Sequence, residues 1–383
     1  MTAANEPWAP TVPVRAIAFY LPQFHPIPEN DLWWGKGFSE WTNVTKARPN
    51  FIGHYQPHLP ADFGFYDLRV PEVLEQQAAV AREHGIHGFC YHYYWFAGKR
   101  LLEQPVETMR TSGRPDFPYC LCWANENWTR RWDGADEDVL ISQNPSPADD
   151  ERFIRDLLPH LRDQRYIRVD GRPLVVVYRI GMLPEPRATA AIWRRVCRSE
   201  GVGELYLCAA KTYDTAEPER YGFDAIVEFP PHCLRVLAVN AQVEMTNMEF
   251  KGALFDYREF VQDTLARPGP AYACHPTVMP GWDNTARMPN LGNTFINASP
   301  EIYEVWLREI VARAAESRGS DERLVFINAW NEWAEGAHLE PDRRYGYQYL
   351  EATRRALSGE RVGGKPYDRH GRGAVADALA ASA

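Results

Sequence analysis

Residues 324–342 read LVFINAWNEWAEGAHLEPD. The first four, Leu324 to Ile327, make an unbroken apolar run, as expected of a short strand buried on both faces. The segment then turns polar and aromatic at once, through Asn328, Trp330, Asn331, Glu332, Trp333 and Glu335. Two carboxyls three residues apart therefore stand beside two indoles just past a strand end. Aromatic rings pack on the flat faces of sugars, and paired carboxyls handle glycosidic bonds.

Working outward, seven similar runs precede this one. They are residues 16–21 (AIAFYL), 88–96 (GFCYHYYWF), 118–123 (PYCLCW), 173–178 (PLVVVY), 205–211 (LYLCAAK), 225–229 (AIVEF) and a stretch within 271–279. Most are separated by helical patterns: residues 71–85 open on Pro71 and close on Gly85, and Ser146, Asp256 and Ser299 are placed to start later helices. The alternation predicts an α/β fold, a single (β/α)8 TIM-like barrel with a long aromatic loop after the first strand. A doubly wound sheet would put a Gly-rich phosphate turn after strand one, and PQFHPIP at 22–28 has none. The expected organisation is a lead-in at 1–13, a catalytic barrel at 14–357 and a flexible tail at 358–383.

Composition narrows the function. The 383 residues carry a formal net charge of −9, which argues against nucleic acid as partner. Thirteen Trp suggest packing against flat ligands as well as core, with core alone the plainer alternative for any one of them. Seven Cys, mostly inside apolar runs, read as reduced thiols, and the N-terminus has no basic-then-apolar leader, so a cytoplasmic location is expected. No run approaches the ~20 residues of a membrane span. There is no CxxC, HExxH, P-loop or GxSxG motif, so no metal and no cofactor are expected; His87 and His92 read as hydrogen-bonded histidines.

In such a barrel, function gathers at the C-terminal ends of the strands. Those ends supply Tyr20, Gln23 and His25 after strand one, with Trp41 in the loop that follows; Tyr91, His92, Tyr93 and Trp95 on strand two; and Trp123, Asn125, Glu126 and Trp128 after strand three. Lys211 ends strand five and Glu228 strand six. Trp282, Asp283 and Asn284 follow strand seven, and Asn331, Glu332, Trp333 and Glu335 follow strand eight. All are candidate sugar contacts, with Glu332 and Glu335 the candidate catalytic pair. Residues i and i+3 lie ~10 Å apart if extended but within ~5–6 Å on a turned path, and Gly336 favours the turn. A retaining glycosidase needs about 5–5.5 Å. The alternative is one catalytic Glu and one structural Glu paired with an Arg, Glu126 or Glu228 then completing the pair.

Six stretches carry a resemblance: AFYLPQFHPIPEN, DLWWGKGFSEWTNV, HGIHGFCYHYYWF, CWANENWTRRWDG, VMPGWDNTAR and NAWNEWAEGAHLEPD. Together they resemble the WbsX-type domain, a glycoside hydrolase family 99-like group often encoded with O-antigen and polysaccharide biosynthesis functions. The likeness spans roughly residues 14–357, and its more distant relatives are the endo-α-mannosidases, which are (β/α)8 barrels. It implies a retaining glycoside hydrolase or transglycosidase acting on an α-mannoside-like bond in an oligosaccharide or polysaccharide. It further implies that Glu332 acts as base on the sugar's own 2-hydroxyl and Glu335 as general acid, through a 1,2-anhydro intermediate, a substrate-assisted exception to the two-carboxylate scheme. The Trp33, Trp34 and Trp41 loop marks the WbsX-like branch, so the sugar itself does not carry over. Two rivals stand beside this reading. One is a glycosyltransferase, for which Asp136-Glu137-Asp138 is the sole D-x-D; Arg130-Arg131 reads as a solvated pair that could meet an acidic sugar. The other is a non-catalytic glycan-binding barrel.

Overall fold

A computed structural model of the protein describes residues 14–130, 135–213, 215–232, 234–316, 319 and 321–359. The lead-in at 1–13, the tail from 360, Arg131, and the side chains of Arg130 and the D-x-D lie outside them.

Eight parallel strands form the frame: β1 Arg15–Tyr20, β2 Ile86–Phe96, β3 Tyr119–Trp123, β4 Arg172–Val177, β5 Tyr206–Lys211, β6 Ala225–Glu228, β7 and β8 Leu324–Ile327. The seventh is split by Pro276 into Cys274–His275 and Thr277–Val278. Its first half pairs with β6 (Val227↔His275) and its second with β8 (Thr277↔Phe326). As β1 pairs with both β8 and β2, this divided strand closes the barrel. Proline interrupts one ladder position, yet the Pro276 carbonyl still accepts from Phe326 N at 2.9 Å. The single (β/α)8 barrel expected from the alternating runs is the fold.

Helices α1 Pro28–Trp34 and α2 Glu40–Lys46 lie in the long loop after β1, and α3 Pro71–Glu83 leads to β2. Then come α4 Gln104–Ser112, α5 Pro147–Leu161, α6 Pro186–Ser199, α7 Tyr257–Ala266, α8 Pro300–Ala315 and α9 Gln348–Ser358. Ser146, Asp256 and Ser299 accept backbone N–H groups at the starts of α5, α7 and α8, the caps that the sequence placed there. Among the described residues, a short 3-10 turn, Pro218–Tyr221, is the helical element between β5 and β6.

Side chains alternate across each strand. Phe19 of β1 packs on Phe326 of β8 (5.4 Å between centroids), on Phe229 (4.8 Å) and on His92 of β2 (5.9 Å). Their neighbours face the helices instead. Tyr20 donates to Gln77 of α3 at 2.6 Å, and the Tyr93 hydroxyl reaches Asp156 of α5. Gly88 marks the closest approach of β2 to its surroundings: a Cβ there would stand 2.5 Å from the Pro118 carbonyl oxygen and 2.9 Å from Ile167 Cδ1. Neither can yield cheaply, because Pro118 is backbone and Ile167 is buried. Gly88→Ala is expected to cost about 1–3 kcal/mol as an overpacked position, read as a lower denaturant midpoint at unchanged slope.

Candidate active site

The candidate acids stand where β8 gives way to a tight turn. Asn331 and Glu332 pair with the following Ala337–His338, and Trp333–Glu335 form one 3-10 turn between them. Gly336 closes it at φ 60°, and a Cβ there would meet Asp283 Cβ at 2.9 Å. Positive φ and close approach both call for glycine. The Asp283 amide donates to the Glu335 carbonyl at 2.6 Å, fastening the loop after β7 to the loop after β8.

Arg287 organises the carboxyls. One terminal nitrogen lies 2.5 Å from Glu335 Oε1; the other lies 3.1 Å from Glu332 Oε2 and 3.2 Å from Glu40 Oε2. All four side chains are buried or nearly so, Glu335 being the most accessible at 19%. Burial pushes both the Glu332 and Glu335 carboxyls above the usual range; the Arg287 charge opposes this, while the neighbouring carboxylates add to it.

Glu332, Glu335 and Arg287 face a cavity of about 650 Å3, a size typical of small-molecule sites. Gln23, His92, Glu126, Trp128, Trp282 and Asn284 line it too, so these sequence candidates come together. Gln23 donates to the Tyr94 hydroxyl at 2.8 Å, and Glu126 is ion-paired with Arg179. His92 Nδ1 and Asn284 Oδ1 are buried without a partner among the described residues, as expected of groups that meet a hydroxyl-rich ligand. Burial tends to lower the His92 pKa, but Cys122 and the two acids outweigh it and hold it above the ordinary value.

Other candidates stand elsewhere. Tyr20, Tyr91, Tyr93, Trp95 and Trp123 occupy the helix-facing side of their strands: Tyr91 donates to the Met109 sulfur, Trp95 to Asp149 at 3.2 Å, and Trp123 stacks on Phe153 at 4.3 Å. Lys211 and Glu228 are register partners on β5 and β6. Glu228 is pushed up by burial, against the opposing charges of Lys211, Arg267 just after α7 and Arg313 of α8, and it lies off the cavity lining. His25 is buried off the cavity, pushed down to about 4 by burial. Trp41 donates to the Tyr66 carbonyl at 2.8 Å, and Trp333 donates to Glu340 at 2.7 Å while stacking on His338. Asn125 clamps the backbone of Arg179, and Asn331 clamps that of Leu21 from both sides, at 2.7 and 3.0 Å. These residues build the mouth without facing its cavity. Glu40 and Arg287 were missed, although both lie within quoted stretches, SEWTNV and WDNTAR.

A second cavity of about 570 Å3 adjoins the first across Trp282, which lines both. His54, Tyr55, His58, Asp283, His338 and Asp342 are on its wall. His54 Nδ1 accepts from Asn50 N at 2.9 Å, so its Nε2–H donates to Asp283 Oδ2, at 2.6 Å.

Fold and site together define a (β/α)8-barrel protein with a buried carboxyl cluster at the C-terminal mouth of its strands. The chain belongs to the WbsX family: the family's profile, described as glycosyltransferase WbsX, matches residues 16–353. Two relatives from Xanthomonas campestris pv. campestris, strains B100 and ATCC 33913, are each 51% identical over 348 residues, and both are described as uncharacterized protein WxcX. The match covers 91% of this chain and 50% of theirs, so the chain spans about half their length. Among solved structures, a glycoside hydrolase-like protein superposes with TM-score 0.59 at 15% identity, covering 93% of this chain and 97% of its own. The GH99 endo-alpha-mannosidase from Bacteroides thetaiotaomicron gives TM-score 0.55 at 15% identity, covering 90% and 97%. These likenesses speak for the fold. Among the described residues, no helix is long and apolar enough to cross a membrane.

Asp283 holds the two cavities in register, and its charge is testable. Burial pushes its carboxyl up, but the hydrogen bond from His54, the nearby rings of His54 and His58, and the Thr285 hydroxyl outweigh it and hold it down at about 2, against an ordinary 3.8. A depressed folded pKa adds stability that is present above the ordinary value and lost as pH falls through the folded one. Unfolding free energy should therefore drop between pH 4 and 2 by about 2 kcal/mol from this group. Asp283→Asn should flatten that part of the stability–pH curve.

Proposed function

We propose that the protein is a retaining glycoside hydrolase or transglycosidase acting on an α-mannoside-like linkage of an oligosaccharide or polysaccharide. The observation that carries this reading is the Glu332–Arg287–Glu335 cluster facing the mouth cavity. Three buried carboxyls, Glu40 included, surround one guanidinium. Full ionisation would leave excess negative charge in a site largely shielded from water, so the cluster favours keeping a proton. An acid and a base side by side are what substrate-assisted glycoside cleavage requires.

In this mechanism Glu332 takes the proton of the sugar's 2-hydroxyl. That oxygen attacks C1 as the C1–O bond to the leaving group breaks, and Glu335 gives its proton to the departing oxygen. Water or an acceptor hydroxyl then opens the 1,2-anhydro ring at C1. Glu335 takes the incoming proton and Glu332 returns its own to O2, so configuration is retained. Arg287 stands nearer Glu335 than Glu332, at 2.5 against 3.1 Å. Loading the proton on Glu335 therefore requires the guanidinium to lean toward Glu332 as sugar enters. His92 and Asn284 offer open polar atoms to sugar hydroxyls, and Trp128 and Trp282 offer rings. A GH99 endo-alpha-mannosidase shares this barrel fold, and the α-mannoside-like bond of the proposal is suggested by that likeness. The site itself supports a glycan partner, while a second reading, nucleotide-sugar transfer, is favoured by the family's description as a glycosyltransferase.

On a screen of α-linked oligosaccharides, Glu332→Gln and Glu335→Gln should each lower turnover by about 10²-fold or more with melting temperature close to wild type. An activated aryl glycoside, whose leaving group needs no proton, should rescue Glu335→Gln but not Glu332→Gln. Full activity in both variants rejects the assignment, and a calorimetric signal with nucleotide-sugars alone moves the protein to the second reading. Arg287→Gln removes the charge that holds both carboxyl pKa values down, so both limbs of the pH–rate profile should move to higher pH.

A further inference from the structure

The second cavity carries a cluster that glycoside chemistry does not use. We propose that His58, His338 and Asp342 bind one divalent transition-metal ion of the zinc class, with a coordination position open to that cavity.

The three side chains come from two loops, one after β1 and one after β8, and their ligand atoms lie within 4.8 Å of one another. His58 Nδ1 and His338 Nε2 face each other at 2.9 Å. Zinc bonded at about 2.0–2.1 Å to nitrogen and 2.0–2.2 Å to oxygen holds its ligand atoms roughly 3–4 Å apart, so a small closing of Asp342 toward the imidazoles completes the set. Two imidazoles, one carboxylate and an open fourth position form the donor pattern of reactive zinc sites. All three residues line the cavity, so that fourth position is reachable by water or a ligand oxygen.

The surroundings orient these groups as ligands. His338 Nδ1–H donates to the Glu340 carbonyl at 3.1 Å, which fixes the tautomer and leaves Nε2 as a lone pair toward His58. The His338 ring lies flat on Trp333, at 3.8 Å and 14°. Asp342 Oδ1 accepts the amides of Arg344 and Tyr345, and Oδ2 accepts the Tyr55 hydroxyl at 3.0 Å. Arg344 stacks on Tyr55 and Tyr345 and adds a positive charge, which the Asp342 and nearby Asp283 carboxylates offset. The two rings can also form a plain hydrogen-bonded clip, and metal uptake separates the two roles.

The test uses the whole chain, stripped with chelator and titrated with Co2+ and with Zn2+. The expected result is one equivalent of Co2+ with the visible d–d absorption of a four- or five-coordinate ion, displaced by Zn2+, and a melting temperature several degrees higher with Zn2+. His58→Gln and His338→Gln should each weaken uptake at least tenfold. Circular dichroism checks their folding; if His338→Gln is unfolded, His58→Gln, at the less buried position, decides alone. No stoichiometric uptake by wild type, or equal uptake by folded variants, overturns the proposal. The readout is metal binding, so it stands or falls separately from glycoside turnover.

Discussion

The guanidinium of Arg287 is the point on which the mouth of the barrel converges. It joins Glu40 from the loop after β1 to Glu332 and Glu335 from the loop after β8, and it comes itself from the loop after β7. A cation so enclosed is costly unless carboxylates surround it, and it is the loss of Arg287 itself that would leave buried charge uncompensated. The four side chains therefore fix one another, and through them three loops. Arg287 also sets how charge is shared between the acids. One cation against three carboxyls leaves the pair sensitive to any ligand that draws the guanidinium to one side.

Neighbouring contacts hold that cluster in register. Asn331 clamps the Leu21 backbone, tying the exit of β8 to the exit of β1. The Asp283 amide ties the exit of β7 to the Glu335 carbonyl, and the Gly336 turn leaves no space for a Cβ between them. A catalytic constellation loose by about an ångström loses much of its effect. Here the Glu335 carbonyl and the Asn331 side chain next to Glu332 are hydrogen-bonded to the loops after two different strands.

The barrel was legible because its strands are short apolar runs buried on both faces, and PLVVVY and LVFI can be little else. The division of β7 was not, since a proline in a weak apolar run does not announce that its two halves pair with different neighbours. In the site, the acid pair and its turn were readable from NEWAEG alone. The aromatics of β2 divide between two faces, which the sequence list did not separate. Period two forbids Tyr91, Tyr93 and Trp95 from sharing a face with His92, and the structure puts His92 and Tyr94 on the cavity and the other three toward helices. Arg287 and Glu40 are 247 residues apart, and nothing local to either marks them as partners. The His58–His338–Asp342 cluster escaped for the same reason: a search for metal-ligand spacing sees ligands that are near in sequence, whereas this set spans 280 residues between its histidines.

Trp282 gives the two cavities a common wall, and the residues on either side of it are not independent. Asp283, next in sequence, points its carboxylate toward His54 and its amide toward Glu335. On the other loop, Trp333 begins the turn that ends in Glu335 and carries the His338 ring on its face. A load placed on the second cavity, whether a cation at His338 or a ligand against Asp283, therefore acts on the same few backbone atoms that position the acid. Coupling of this kind needs no long pathway, because the two sites share one turn. The Asp283 amide, on the second cavity's wall, holds the Glu335 carbonyl of the NEWAEG turn from the side away from the mouth cavity.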